Sequence, residues 1–225
     1  MDTANAFSPL PKHVIVISGL NEIRIPIVIP VMHDDDDDNL ETYILLLLSD
    51  SNLPTGSFVA SAGLESYVKH GFPSPPISSA SESTIDFVRD SLASYAKSAL
   101  PFVSDAHRSV EKFALDREED QKFGGILRIL IELDNLYQAM TLNHVARRAS
   151  TAQGVALLTL YTKSFSCPTT VAAFPVVRTP QHEIQMAKLV DEFKLKIRRE
   201  EVPGHLPICW GILTAALGLR RGTLF

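Results

Sequence analysis

Apolar residues recur at intervals of three and four along most of the chain after residue 40, which is the spacing of one face of an α-helix. The first such stretch covers Tyr43–Leu48, and a second follows between Ser57 and Gly71. Between them, Pro54 and Gly56 predict a turn. This segment therefore predicts two helices joined by a turn, with Gly71 ending the second helix.

The same spacing predicts four more helices up to about residue 164. Ser83 and Asp86 resemble a capping box at the start of one, and Pro101 suits the first turn of the next. The other two cover Phe123–Met140 and a stretch from Asn143 to about Ser164. The apolar face of the first of these four helices comprises Ile85, Val88, Leu92, Tyr95 and Ala96.

Two last helices follow a break that contains several prolines. Gln181–Glu201 is amphipathic and highly charged, whereas residues 205–219 are almost entirely apolar and carry glycines at Gly211 and Gly218. No stretch predicts a sheet that could form the core. The sequence therefore predicts an all-α fold, a single-domain helical bundle over residues 41–225.

Residues 1–40 differ from the rest in composition. Two β-prone runs occur there, but Pro26 and Pro30 remove backbone donors, so at best they form a short hairpin or an edge strand. The five adjacent carboxylates of Asp34–Asp38 repel one another and are typical of a solvated linker. We expect an irregular or disordered N-terminal extension here, with His33 and the aspartates as a weaker alternative for capturing a divalent cation.

The overall charge and the cysteine count restrict the function classes. A net charge of -5 and an isoelectric point near 5.8 give no basic surface for nucleic acid. The longest clean apolar run, Ile44–Leu48, is far shorter than the roughly 20 residues that span a membrane. Two cysteines without a secretory signal fit a reducing compartment. These features predict a cytoplasmic protein that binds neither nucleic acid nor membrane.

Motifs for common catalytic and metal chemistries are missing from the sequence. It contains no phosphate-binding glycine loop, no HExxH motif and no close group of cysteines and histidines, so we predict neither a cofactor nor a bound metal. Asp50, Ser57, Glu65 and His70 could form a small acid–base or nucleophilic site. Capping of helix ends by Asp50 and Ser57 explains the same residues without catalysis.

Three motifs resemble the urease accessory protein F family, UreF, in the order in which that family carries them. The first is the stretch SDSNLPTGSFVASAGLE that begins at Ser49, and the second combines Leu133–Asp134, Arg147–Ser150 and Gln153–Gly154. The third is the apolar helix that carries Gly211 and Gly218. Together they cover about residues 43–219 and resemble a eukaryotic, fungal-like member.

This resemblance implies a non-enzymatic scaffold that acts in nickel insertion into apo-urease. Family members bind UreD, also called UreH, dimerise, and recruit or modulate the GTPase UreG, so these proteins, the urease apoprotein and a second copy are the implied partners. The family also continues past the last glycine-bounded helix with helices that this sequence does not contain. We therefore expect the helix at 205–219 to expose apolar surface, and a truncated product without activity is an alternative.

Candidate partner-binding residues follow from the first two motifs. Glu65 is expected to be buried or at an interface, while Arg147 and Arg148 suit contacts with anionic groups of a partner. The full set is Asp50, Ser57, Ser61, Glu65, Arg147, Arg148, Ser150, Gln153 and Gly154.

Overall fold

The structure is a computed structural model of the chain. It describes residues 13–18, 24–29, 37–50, 53, 63–70, 80–115, 119–165 and 180–220. Seven α-helices in this part of the chain confirm the predicted all-α fold. Their bounds are α1 Asp37–Leu48, α2 Leu64–Lys69, α3 Ala80–Leu115, α4 Glu119–Met140, α5 His144–Leu160, α6 Pro180–Arg198 and α7 Leu206–Ala216.

Two short strands precede the helices. β1 (His13–Ser18) and β2 (Arg24–Ile29) pair antiparallel, with Val16 opposite Pro26, and so form the short hairpin that the sequence allowed within residues 1–40. Helix α1 then begins at Asp37, inside the aspartate run that we expected to be a linker.

Helix α3 is one continuous helix of 36 residues and not two helices that meet at Pro101. The predicted break is wrong, and so is the predicted cap, because Ser83 lies inside the first turns of the helix. Ala99, Phe102 and Val103 are buried on either side of the proline. Their packing against the core offsets the hydrogen bond that Pro101 cannot make.

The two halves of α3 have different surroundings. Phe102, Ala106 and Val110 of the second half are buried in the core. The apolar face predicted for the first half is instead exposed: Ile85, Val88, Leu92 and Tyr95 show 55%, 53%, 65% and 45% of their surface to solvent. Tyr67 of α2 packs against Phe87 on this half of α3, with ring centroids 4.9 Å apart, whereas Ile85, Val88 and Leu92 stay exposed among the described residues.

Helix α2 corresponds to the second predicted helix of the first motif. Gly63 has a φ of 96°, a left-handed conformation that cannot continue an α-helix, and α2 begins at Leu64. The predicted helix therefore does not continue unbroken past Gly63, and its predicted start at Ser57 lies outside the described residues. The helix ends at Lys69, close to the predicted end at Gly71.

Helix α7 is the centre of the core. Nine of its residues are buried, from Pro207 to Ala216, with α3 on one side and α5 on the other. Gly211 allows α3 to approach closely, because a Cβ atom there would lie 2.6 Å from the carbonyl oxygen of Val103. The expectation that this helix exposes apolar surface is therefore wrong; the uncovered surface lies on α3.

The end of α7 is fixed by hydrogen bonds. Gly218 has a φ of 68°, and the N–H groups of Gly218 and Leu219 donate back to the carbonyls of Ala215 and Thr214, which together form a Schellman motif. The buried His107 of α3 then donates from Nε2 to the carbonyl oxygen of Leu219, at 2.9 Å. The chain beyond α7 is thus tied to α3. None of the helices within the described ranges is long and apolar enough to cross a membrane.

A buried polar cluster and the candidate partner-binding surface

Asp134 places a carboxylate in the core beside the N-terminus of α7. Its side chain is fully buried and accepts hydrogen bonds from the backbone N–H groups of Gly204 and His205, both at 2.7 Å. These two residues form the turn that leads into α7. Asp134 of α4 therefore fixes the start of α7 from a position 70 residues away in sequence.

Helix α5 completes this attachment through two small residues. The hydroxyl of buried Ser150 accepts a hydrogen bond from the N–H of Leu206, at 3.1 Å. One turn further along, Gly154 lies against the loop before α7, where an added Cβ atom would be 2.2 Å from the carbonyl oxygen of Gly204. Only glycine leaves room for this backbone, so α5 and α7 are in direct contact.

His205 is buried between α4 and α5 and is neutral at physiological pH. Its Nε2 donates to Oε1 of Gln138 at 2.6 Å, and its ring meets the ring of Tyr137 edge-on at 5.0 Å. Burial, together with the positive charge of Arg147, lowers the pKa of His205 to about 4. Its Nδ1 has no hydrogen-bond partner within the described part of the chain.

Burial also raises the pKa of the acidic groups in this cluster. The pKa of Asp134 rises to about 6, although its two backbone hydrogen bonds act in the opposite direction. Burial raises the pKa of the Cys209 thiol well above its usual value, so this free cysteine is a poor nucleophile. Among the described residues, no group of three or more side chains of the metal-binding types is placed to hold a metal ion. The cluster is suited to holding helices together.

The predicted site residues of α5 divide between two faces. Ser150 and Gly154 face inward and hold α7. Arg148 is exposed, whereas Arg147 and Gln153 are half-buried. The Nε of Arg147 donates to the carbonyl of Thr141. Arg148 is therefore accessible to a partner, whereas Arg147 lies close enough to the buried His205 to contribute to its lowered pKa.

The predicted site residues of the first motif lie elsewhere. Asp50 is exposed in the turn after α1, where its carbonyl accepts from the N–H of Leu53. Glu65 is exposed in the first turn of α2, so the expectation that it is buried is wrong, while an interfacial role stays a prediction. His70 is exposed at the end of the same helix. Ser57 and Ser61 lie outside the described residues, so the structure does not test the catalytic alternative.

Sequence reasoning included Asp134, the central residue of the cluster, in a family motif but did not select it as a candidate site residue. Asp134 follows Leu127 and Leu130 and precedes Tyr137 at intervals of three, four and three, so it occupies a core position of α4. A single carboxylate within an apolar stripe is the signal that could have identified it, because a buried charge requires hydrogen-bonding partners. His205 gives no such signal, since an isolated histidine before an apolar helix has many ordinary explanations.

Comparison with known proteins identifies the family. The sequence pattern of the UreF family matches residues 79–225, well over half of the chain and all of the cluster. The chain belongs to the UreF family. The UreF motifs at Leu133–Asp134, Arg147–Ser150 and Gln153–Gly154 thus coincide with the helices that hold α7.

Two fungal relatives support this assignment. The chain is 35% identical over 205 residues to urease accessory protein 6 of Cryptococcus neoformans, a match that covers 80% of the chain and 63% of that protein. It is 30% identical over 183 residues to an uncharacterized UreF-like urease accessory protein of Schizosaccharomyces pombe, covering 81% and 63%. The UreF chain thus spans a little under two thirds of either relative. No solved structure matches it significantly.

Proposed function

We propose that this chain is a urease accessory protein, a non-enzymatic scaffold for nickel insertion into apo-urease in the cytoplasm. Membership of the UreF family is the observation that carries this proposal. The relative from Cryptococcus neoformans is named as a urease accessory protein, and we therefore propose that the chain acts in the maturation of urease. On this proposal the chain binds a UreD/UreH protein and the GTPase UreG, and it acts as a homodimer within the complex.

The geometry favours a scaffold, because the buried polar side chains of the cluster form their hydrogen bonds within the protein. Asp134 and Ser150 direct their oxygens at the backbone of α7 and leave no polar group of theirs for a substrate. The exposed Arg148 lies on the other side of α5, about 160° around the helix from Ser150. We assign partner binding to this outward face, where guanidinium groups suit carboxylates or phosphates of a partner.

Co-purification tests the binding of partners. Tagged chain, co-expressed with the UreD/UreH protein and UreG of the same organism, is expected to retain both proteins. Arg148→Glu should weaken this retention, while Arg128→Glu on α4 is the matched control, because Arg128 is also exposed and pairs only loosely with Glu132 at 3.7 Å. Equal retention by both variants would remove the α5 face from the proposal. Failure of the wild-type chain to retain either protein would contradict the scaffold itself.

Restoration of urease activity in cells tests the proposed role in nickel insertion. Expression of the chain in Cryptococcus neoformans lacking urease accessory protein 6 should restore urease activity when nickel is supplied. Glu65→Ala is expected to reduce this activation without loss of helical content, because Glu65 is exposed on α2. Glu183→Ala, an exposed carboxylate on α6, is the control. Turnover of a substrate by the purified chain alone would instead favour the enzyme alternative.

A further inference from the structure

A π-helical turn, Tyr161–Phe165, follows α5 directly and packs against α6. Within this turn the Thr162 hydroxyl donates to the carbonyl oxygen of Leu158 at 2.8 Å and accepts a hydrogen bond from Nζ of Lys194, also at 2.8 Å. π-helical turns are rare and occur frequently at functional sites. This turn therefore holds the ammonium group of a half-buried lysine in a fixed place between α5 and α6.

Two more cations surround this ammonium group. Lys163 follows Thr162 in the π-helical turn, and Arg198 lies one helical turn after Lys194 on the same face of α6. Burial, together with the positive charges of Arg198 and Lys163, lowers the pKa of Lys194. The carboxylate of Asp191 acts in the opposite direction. Lys163, Lys194 and Arg198 thus form a basic cluster to which two elements contribute.

The positive charge of the basic cluster is only partly offset by the described part of the chain. There, neither Lys163 nor Arg198 lies within salt-bridge distance of a carboxylate. The neighbouring Lys196 and Arg199 differ, because both face Glu201, at 2.6 and 3.9 Å. Three positive charges and the one negative charge of Asp191 leave a net charge of +2 at the cluster.

A phosphate group matches this charge better than a single carboxylate does. A phosphate monoester carries about −1.5 to −2 charges at pH 7, whereas a carboxylate balances only half of the charge of the cluster. Phosphate oxygens also accept charge-assisted hydrogen bonds from several cations at once. Because Thr162 already orders the side chain of Lys194, binding costs less conformational entropy there than at a freely rotating lysine.

We propose that Lys163, Lys194 and Arg198 form a binding site for a phosphate group, supplied either by inorganic phosphate or by a monoester such as a nucleoside monophosphate. The site lies about 20 Å along α5 from Arg148, so it is separate from the face to which we assign partner binding. It goes beyond the proposed scaffold function and does not depend on it.

A titration of the full-length, ¹⁵N-labelled chain with inorganic phosphate tests the site by NMR at constant ionic strength. Saturable shifts should appear at the backbone amides of the π-helical turn and of residues 194–198. Arg198→Gln should weaken the binding about tenfold or more, because it removes a charge-assisted hydrogen bond. Lys163→Gln should weaken it similarly, because both elements contribute to the site.

Arg199→Gln is the matched control. It removes the same charge from an adjacent exposed residue whose guanidinium faces Glu201, so the affinity for phosphate should stay nearly unchanged. Lys163, Arg198 and Arg199 are all exposed, so the three variants should keep the helical content and the melting temperature of the wild-type chain. Equal binding by Arg198→Gln and Arg199→Gln would overturn the proposed site.

Competing anions identify the ligand. Tighter binding of a nucleoside monophosphate than of inorganic phosphate, with the same amides shifted, would assign the site to phosphate esters, and the reverse order would assign it to the free anion. Shifts that chloride reproduces at the same ionic strength would show screening alone and would contradict the proposal. Tighter binding of an oligoglutamate peptide than of either phosphate would assign the basic cluster to an acidic protein segment, and the phosphate site would be wrong.

Discussion

At the scale of single residues, Asp134 is the group on which the arrangement around α7 most depends. It satisfies two buried N–H groups, and leaving a buried donor unsatisfied costs about 1–3 kcal/mol each. Removing the carboxylate recovers its desolvation cost, of about 3 kcal/mol for a pKa raised from 3.8 to about 6. The lost hydrogen bonds and the recovered desolvation cost act in opposite directions. Because removal of the side chain also leaves a cavity, we expect a net decrease in stability.

Asp134→Ala should lower the free energy of unfolding by about 2 kcal/mol at pH 7, measured by urea denaturation. Glu132→Ala on the same helix is the control, because its side chain is exposed and its distance to Arg128 is 3.7 Å, so the expected change is within about 0.5 kcal/mol. If both variants were equally stable, the hydrogen bonds that Asp134 accepts from Gly204 and His205 would contribute nothing to the stability of the fold.

The free energy of unfolding should depend on pH through Asp134 and His205, whose contributions change in opposite directions. The folded-state pKa of Asp134 is raised to about 6, so its contribution is present below pH 3.8 and is lost as the pH rises through 6. The folded-state pKa of His205 is lowered from 6.5 to about 4, so its contribution is present above pH 6.5 and is lost as the pH falls through 4. Between pH 4 and 6.5 the two trends offset each other.

The substitution Asp134→Asn should leave the contribution of His205 to the pH dependence of stability without compensation. On lowering the pH from 7 to 4.5, the variant should lose about 2 kcal/mol more of its free energy of unfolding than the wild type, because the compensating proton uptake by Asp134 is gone. Urea denaturation across this range measures the difference. Parallel curves for the two proteins would mean that Asp134 titrates near its ordinary pKa in the fold.

At the scale of helices, the continuity of α3 gives a test that distinguishes the structure from the sequence-based expectation. Pro101 is exposed inside α3, where alanine would restore a backbone hydrogen bond. Pro101→Ala should therefore raise the free energy of unfolding by about 1 kcal/mol or more. If α3 were two helices with Pro101 in the first turn of the second, the substitution would be neutral or destabilising. Chemical denaturation separates the two outcomes.

The contact between α5 and α7 gives a second test at this scale. Gly154→Ala forces a methyl group against the carbonyl oxygen of Gly204, so the helices must separate, and we expect a loss of about 3 kcal/mol. Gly125→Ala in α4 is the control, because a Cβ atom there meets nothing within 4 Å and alanine favours the helix by about 0.5–1 kcal/mol. The two melting temperatures should therefore move in opposite directions.

Helical periodicity predicted the helices of this fold well, because the spacing of apolar residues along a helix depends only on the local sequence. It could not predict which stripes are covered: the stripes at Ile85–Tyr95 and Phe102–Val110 look alike in sequence, and only the second meets α7. The same limit applies to the site. Ser150 and Gly154 belong to a recognisable motif, but they face inward because of contacts with Leu206 and Gly204, which lie 50 or more residues further along the chain.

At the scale of the whole molecule, one core joins α1 and α3 through α7, so unfolding of these helices should be cooperative. Trp210, the single tryptophan, lies half-buried on α7 and reports on the centre of the core. Its fluorescence and the far-ultraviolet circular dichroism should therefore change over the same range of temperature. If tryptophan fluorescence changed at lower temperature and a hydrophobic dye bound at the same point, the helices would be only loosely packed, as for a truncated product without activity.

The central position of α7 also has a consequence for biosynthesis. Helices α3, α4 and α5 leave the ribosome before the helix that they surround, since α7 is the last of the described helices to be translated. Their inner faces, including the carboxylate of Asp134, have no partner until residues 204–216 emerge. Packing of the core therefore waits until α7 has emerged from the ribosome, and until then the nascent chain exposes apolar surface that molecular chaperones recognise.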